Sequence, residues 1–185
     1  PSYILLGLPD AALSESRDRV RSALVNSGFR WPNRRVTVSL SPAWLPKKGS
    51  NFDLPIAMAL LIATGELDQS RCDGIIFLGE LALDGTLKFV RGVLPTLVAA
   101  ENQGFRQAII PSVNQDEASM LRNLYSVGFT SLQGVIHFLT TGEQEEMEKS
   151  VIVQSEDFVL ANEIDLSDVV GQKEAKYALE VAAIG

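Results

Sequence analysis

The amino-acid sequence predicts a mixed α+β fold (α/β mixed) in which helices pack on a mixed sheet. Three observations support this prediction. Residues 54–64 are apolar on nearly every side, as expected for a helix buried in a core. The dipeptide Asp84-Gly85 lies between two short apolar runs, as in a tight β-hairpin. Segments with strand and helix periodicity alternate as far as residue 139.

The first half of the chain opens with a helix pattern. Residues 10–27 form an amphipathic helix, in which Leu13, Val20 and Leu24 share one stripe, and Gly28 ends it. Residues 35–40 alternate with period two and are β-branched, which predicts a half-buried strand. The breaker Pro42 follows almost at once.

A lysine-bearing loop then leads into the apolar helix of residues 54–64, with Pro55 in its first turn and Gly65 at its end. Residues 74–83 read as one strand that returns through the hairpin at residues 86–89. The remaining predicted elements are a helix at 93–102, a strand at 107–110 ended by Pro111, a short helix at 115–121, a strand at 125–127 and a helix at 132–139.

The composition is that of a soluble globular protein, with 185 residues, 46% hydrophobic and 21% charged. No run reaches the roughly 18 to 20 apolar residues of a membrane span, so we expect no membrane association and a cytoplasmic location. Cys72 and His137 are single, which predicts packing residues and no metal cluster. The absence of an initial Met and a helical pattern at residues 173–183 suggest a piece of a longer protein.

The net charge of −7 is unevenly distributed. Residues 1–50 hold eight basic and three acidic residues, a net of +5, which leaves −12 for the rest. Such asymmetry suggests one face that meets a polyanion, although charge runs are commonly ordinary solvated surface.

The sequence contains one candidate catalytic arrangement and lacks a phosphate-binding motif. Ser50 beside Lys47 and Lys48 suggests a Ser-Lys peptidase, but that chemistry needs a partly desolvated lysine, and these loop lysines are expected to be hydrated. No Gly-x-x-x-x-Gly-Lys-Ser/Thr phosphate loop occurs, so we expect no ATP site within this chain.

Several separated motifs carry a family resemblance. They are GLPDAA at residues 7–12, ESRDRVR at 15–21, LPKKG at 45–49, FDLPIA at 52–57 and GELALDG at 79–85. Together they resemble the N-terminal domain of bacterial magnesium-chelatase-like AAA+ ATPases, the ComM/YifB group. DLSDVVGQ at residues 165–172 resembles the start of that family's ATPase module. The resemblance implies a domain at residues 1–140 and the start of the ATPase module at 165–185. Residues 141–164 are acidic and aperiodic, which predicts a linker between them.

The family domain is in turn similar to the proteolytic domain of Lon-type proteases, of the ribosomal S5 domain 2-like fold. Overlay of the Lon-type loop Pro-Lys-Asp-Gly-Pro-Ser-Ala-Gly on residues 46–53 places Asn51 at the nucleophile position. The continued overlay places Thr96 at the position of the catalytic lysine. Neither side chain performs those roles, so the resemblance implies a retained scaffold without catalysis.

The resemblance further implies an ATP-driven, hexameric DNA motor linked to branch migration and competence, with ATP and Mg²⁺ in the ATPase module and a ring of identical subunits as partners. DNA contacts would come from basic residues, because phosphate neutralisation gives salt-sensitive, sequence-independent affinity. The candidates are Arg34, Arg35, Lys47 and Lys48, with Arg19 and Arg30 in addition. Local ion pairing is the competing explanation for these residues.

Three functions from different classes remain open at this point. The favoured one is a noncatalytic DNA-handling or ring-organising domain. The second is a Ser-Lys peptidase of Lon type, and the third is a partner-binding subunit that resembles magnesium chelatase. Scaffolding without DNA contact competes with the first.

Overall fold

The structure is a computed structural model that describes residues 3–143 and 175–178. The chain divides into two compact units, residues 1–145 and residues 146–185. In the second unit, residues 175–178 are helical, within the helical pattern of residues 173–183. The predicted linker, apart from residues 141–143, and the motif at 165–172 lie outside the described residues.

The first unit begins with a parallel strand pair. Strand β1 (Tyr3–Leu6) pairs with β2 (Val36–Ser39), in register from Tyr3 opposite Val36 to Leu6 opposite Ser39. Strand β2 lies within the strand predicted at residues 35–40, whereas β1 was not predicted. Between them lie helices α1 (Ala11–Ser14) and α2 (Ser16–Asn26).

The single helix predicted at residues 10–27 is therefore divided at Glu15. The Asp10 side chain caps α1 by accepting from the Leu13 N–H at 2.8 Å. The carbonyl oxygen of Ala12 accepts instead from Nη2 of Arg19 at 2.9 Å. A long-range side-chain contact thus satisfies a backbone group that a continuous helix would have paired.

Helix α3 (Asp53–Thr64) is the central helix, with seven of its residues buried. The predicted strand at residues 74–83 is divided into β3 (Ile75–Phe77) and β4 (Glu80–Leu81), which belong to different sheets. β4 pairs antiparallel with β5 (Leu87–Lys88), so the predicted hairpin is confirmed. Gly79 allows the crossover, because a Cβ there would lie 2.8 Å from the side chain of Leu87.

The remaining elements are α4 (Val93–Asn102), β6 (Gln107–Pro111), α5 (Gln115–Ala118), β7 (Tyr125–Phe129) and α6 (Leu132–Thr141). Strands β3, β6 and β7 form a three-stranded parallel sheet in that order. Two core clusters flank this sheet: Ile109 and Val127 belong to one, and Ala108 and Ile110 to the other. Residues of α2, α3 and α6 are in the first cluster, and residues of α4 and α5 are in the second.

The predicted mixed α+β class is confirmed, with parallel and antiparallel pairing distributed over three small sheets. The predicted helix at residues 115–121 is shorter, because α5 ends at Ala118. Strand β6 includes Pro111, which was predicted to follow it. The more specific Lon-protease-like and S5 domain 2-like assignment, and the predicted domain boundaries, stay predictions.

Candidate functional site

The lysine-bearing loop is held against the start of α1 by backbone hydrogen bonds. The Asp10 N–H donates to the Lys47 carbonyl at 3.0 Å, and the Lys47 N–H donates to the Leu8 carbonyl at 3.1 Å. The Asp10 carboxylate also accepts from the Gly49 N–H at 2.9 Å. Hydrogen bonds from the Leu13 and Gly49 N–H groups lower the pKa of Asp10. The loop is therefore a fixed platform, with one carboxylate joining it to the adjacent helix.

Lys47 lies inside this platform. It is only 6% exposed, and its Nζ donates to the carbonyl oxygen of Leu40 at 3.0 Å and to that of Pro42. These contacts hold the end of β2 to the loop. Its ammonium group is consequently engaged in structural contacts within the domain.

Ser50 also has an internal partner, since its Oγ donates to a carboxylate oxygen of Glu80. Among the residues that the structure describes, no lysine nitrogen forms a hydrogen bond with Ser50 Oγ. The neighbouring Asn51 is different, because its Oδ1 is buried without a hydrogen-bond partner among the described residues.

Arg19 and Asp53 form a bidentate ion pair between α2 and the start of α3. Arg19 Nε and Nη2 donate to the Asp53 carboxylate at 2.6 and 3.1 Å, and Asp53 is fully buried. Burial raises the pKa of Asp53, and hydrogen bonds from Arg19 and the Leu81 N–H offset part of that rise. Asp53 thus connects α2, the start of α3 and the hairpin.

A cavity of about 370 Å³ opens beside the loop, and we call it the loop cavity. Its wall includes the polar side chains of the loop and of β4 together with the segment that follows β5. The residues used below are Lys48, Ser50, Asn51, Glu80, Phe89 and Arg91. Thr96 is not part of this wall; it is exposed on α4, and its Oγ1 donates to the Gly92 carbonyl at 2.7 Å.

The six predicted DNA-binding residues are not all brought together. Arg30 and Arg34 line one cavity of about 340 Å³ with Trp31 and Glu66, and the exposed Arg35 follows Arg34 directly. We call Arg30, Arg34 and Arg35 the arginine face.

The other three candidates lie elsewhere. Lys48 is exposed and lines the loop cavity, while Arg19 and Lys47 are committed to internal contacts. Within residues 3–143 and 175–178, the salt bridges all involve Arg19. Among the described residues, no carboxylate therefore forms a salt bridge with the arginine face or with Lys48.

Sequence reasoning missed Phe89, Arg91 and Glu80 as members of a site. The signal in the sequence was an aromatic residue, Phe89, and a basic residue, Arg91, shortly after the hairpin. Such a pattern is common and does not identify a site by itself. The motif FDLPIA contains Asp53, but the sequence did not predict Arg19 as its partner, because the two residues are 34 positions apart.

Two further observations limit the chemistry of the described residues. In residues 3–143 and 175–178, His, Cys, Asp and Glu side chains form no group of three that could hold a metal ion. Of the helices that the structure describes, none is long and apolar enough to cross a membrane.

The fold and the site define a mixed α+β domain with an internally bonded lysine loop and an exposed basic face, in which Arg34 Nη2 also donates to the Ala63 carbonyl at 3.5 Å. The family model described as subunit ChlI of Mg-chelatase matches residues 1–114, so the chain belongs to this family. It is 41% identical over 186 residues to Competence protein ComM of Haemophilus influenzae. It is 39% identical over 185 residues to the uncharacterized protein YifB of Escherichia coli and 42% identical over 187 residues to an uncharacterized protein of Mycobacterium bovis.

Each of these alignments covers all of this chain and 36% of the relative. The chain therefore spans about a third of the length of the curated relatives it matches. The ComM/YifB resemblance predicted from the motifs is confirmed.

Proposed function

We propose that this chain is the noncatalytic N-terminal part of a longer, cytoplasmic, hexameric DNA motor related to competence, in which it contacts DNA. The motor's ATP and Mg²⁺ sites and its ring contacts would belong to the remaining part of the protein. The name of the Haemophilus influenzae relative, Competence protein ComM, supports the link to competence.

The arginine face is the observation that supports a contact with DNA. Arg30 and Arg34 line the same cavity, Arg35 is adjacent, and all three are exposed. Guanidinium groups of this kind neutralise phosphates and release counterions, which yields sequence-independent affinity. Arg19 and Lys47 are excluded from the proposed DNA contact, because their charged groups form hydrogen bonds within the domain.

The contacts around Ser50 argue against the Ser-Lys peptidase alternative. A serine nucleophile needs a base that removes its proton. Here Ser50 Oγ donates to Glu80, and the ammonium of Lys47 donates to two backbone carbonyls. Asn51 and Thr96 stay the predicted occupants of the Lon-type catalytic positions, and only Asn51 lines the loop cavity.

A second candidate is a partner-binding subunit of a magnesium chelatase-like complex. The description of the matching family model favours it. In that case the arginine face would bind an acidic protein partner in place of DNA.

The test compares variants of the protein expressed from the complete gene. Fluorescence anisotropy with single-stranded and forked DNA is measured over a salt series for wild type and Arg34→Glu/Arg35→Glu. We expect weaker binding and a plot of log K against log salt that is shallower by about 1.4 for single strands, because two phosphate contacts are lost.

The matched control is Arg17→Glu/Arg21→Glu, which reverses two exposed arginines on α2 outside the arginine face. It changes the net charge equally, and we expect a smaller effect on the slope. Identical salt slopes in wild type and Arg34→Glu/Arg35→Glu would contradict the proposal and favour the partner-binding candidate.

A further inference from the structure

We propose that the loop cavity holds one unstacked base of single-stranded DNA, with Phe89 as its stacking surface. This inference rests on the proposed function and specifies a second contact on the same domain. The cavity volume of about 370 Å³ is within the range of about 300–1,000 Å³ that small-molecule sites occupy.

Phe89 is the first reason. It lies directly after β5, lines the cavity and is 58% exposed. A large aromatic ring that is this exposed at the wall of a cavity offers apolar surface to a planar ligand. Stacking of bases on aromatic side chains is a principal source of affinity for single-stranded nucleic acids.

Two cations that line the same cavity are the second reason. Lys48 and Arg91 are both exposed and line the cavity, and neither forms a salt bridge among the described residues. A backbone that passes along this rim would place phosphates near both charges while the base enters the cavity. An aromatic surface that shares a cavity with two cations suits a nucleotide better than an uncharged peptide.

A carboxylate at the cavity is the third reason. Glu80 lines the cavity, and one of its carboxylate oxygens accepts from Ser50. A carboxylate has acceptor capacity for further donors, so a ligand that donates to it is favoured. Adenine and cytosine present an exocyclic amino group to such an acceptor, whereas thymine offers only its ring N3–H, so the site should prefer adenine and cytosine.

The experiment uses the protein expressed from the complete gene and 12-nucleotide single strands with 2-aminopurine at the centre. Stacking quenches 2-aminopurine fluorescence, and anisotropy with labelled oligo(dA), oligo(dC) and oligo(dT) reports affinity. For wild type we expect quenching and binding of oligo(dA) and oligo(dC) that is about threefold or more tighter than that of oligo(dT).

Substitutions at Phe89 separate stacking from general hydrophobicity. Phe89→Ala and Phe89→Leu should weaken binding at least about fivefold and remove the quenching, while Phe89→Trp should retain both. Glu80→Gln, which replaces the carboxylate by an amide with a single acceptor oxygen, should reduce the preference over oligo(dT). The control is Tyr125→Ala, since Tyr125 is 64% exposed and lines a different cavity with Arg106 and Arg122.

The outcomes distinguish this inference from the proposed function. DNA binding that depends on Arg34 and Arg35 but gives no quenching and no Phe89 effect would overturn only the inference. A loss of affinity in Tyr125→Ala with none in Phe89→Ala would also overturn it. Labelled casein peptides that bind to wild type but not to Phe89→Ala, in a chain that does not bind DNA, would overturn both and make the cavity a peptide site.

Discussion

At the scale of single residues, the charged side chains of this domain have two different roles. Arg19 and Asp53 are bonded to each other in the interior, and Lys47 is bonded to backbone carbonyls. Arg34 and Arg35 remain exposed. Residues of the same chemical type and in the same third of the chain therefore have different roles, structural in one case and available for ligands in the other.

The Arg19–Asp53 pair gives a stability prediction. Arg19→Met should lower the free energy of unfolding by about 3 kcal/mol, because it leaves the fully buried Asp53 carboxylate without its cation. Urea denaturation followed by circular dichroism measures this change. The double variant Arg19→Met/Asp53→Leu should lose less than the single variant, because no unpaired charge remains.

Arg17→Met is the control for this prediction, since Arg17 is exposed on the same helix. It should change the free energy of unfolding by no more than about 0.5 kcal/mol. Equal losses in Arg17→Met and Arg19→Met would mean that the ion pair contributes nothing.

At the scale of elements, the β1–α1 connection depends on close backbone contact. Gly7 has a φ of +111°, and a Cβ at this position would lie 2.2 Å from the Leu40 carbonyl oxygen. The Leu40 N–H donates to the Leu6 carbonyl at 2.9 Å, so this contact directly continues the pairing of β1 with β2. The position requires glycine for both conformation and space.

Gly7→Ala should therefore lower the free energy of unfolding by about 3 kcal/mol, because backbone strain and a steric clash add. Thermal and urea unfolding measure the loss. Gly28→Ala is the matched control: its φ is +88°, but no atom lies within 4 Å of the added Cβ. It should cost about 1 kcal/mol from conformation alone, and a similar loss in both variants would rule out the clash.

At the scale of the whole first unit, the parallel sheet is covered on both faces. Ile109 is 1% exposed and Ile110 is fully buried, and they belong to different core clusters. Successive residues of a strand point to opposite faces, so both faces of β6 are buried. Parallel sheets commonly have this property.

Ile109→Ala and Ile110→Ala should each lower the free energy of unfolding by about 3 kcal/mol, since each leaves a cavity in a packed cluster. The control Val113→Ala, at a 63% exposed position, should change it by no more than about 0.5 kcal/mol. If either isoleucine variant behaved like Val113→Ala in urea unfolding, one face of the sheet would be open.

The sequence by itself determined the mixed α+β class, the hairpin, most helices and the family. These features depend on local signals: apolar periodicity, helix-ending glycines and short motifs with fixed spacing. It also showed that the first third of the chain is basic. Local patterns, however, treat residues 74–83 as one strand and residues 10–27 as one helix.

Only the tertiary structure decided where those segments are divided and which charges are internal. The Ala12 carbonyl is satisfied by Arg19, and Gly79 lies in close contact between α3 and the hairpin. Arg19 pairs with Asp53 across 34 positions of sequence, and Phe89 and Arg91 join Lys48 at one cavity. Hydrogen bonds and packing between distant segments depend on their three-dimensional proximity, which no local sequence pattern contains.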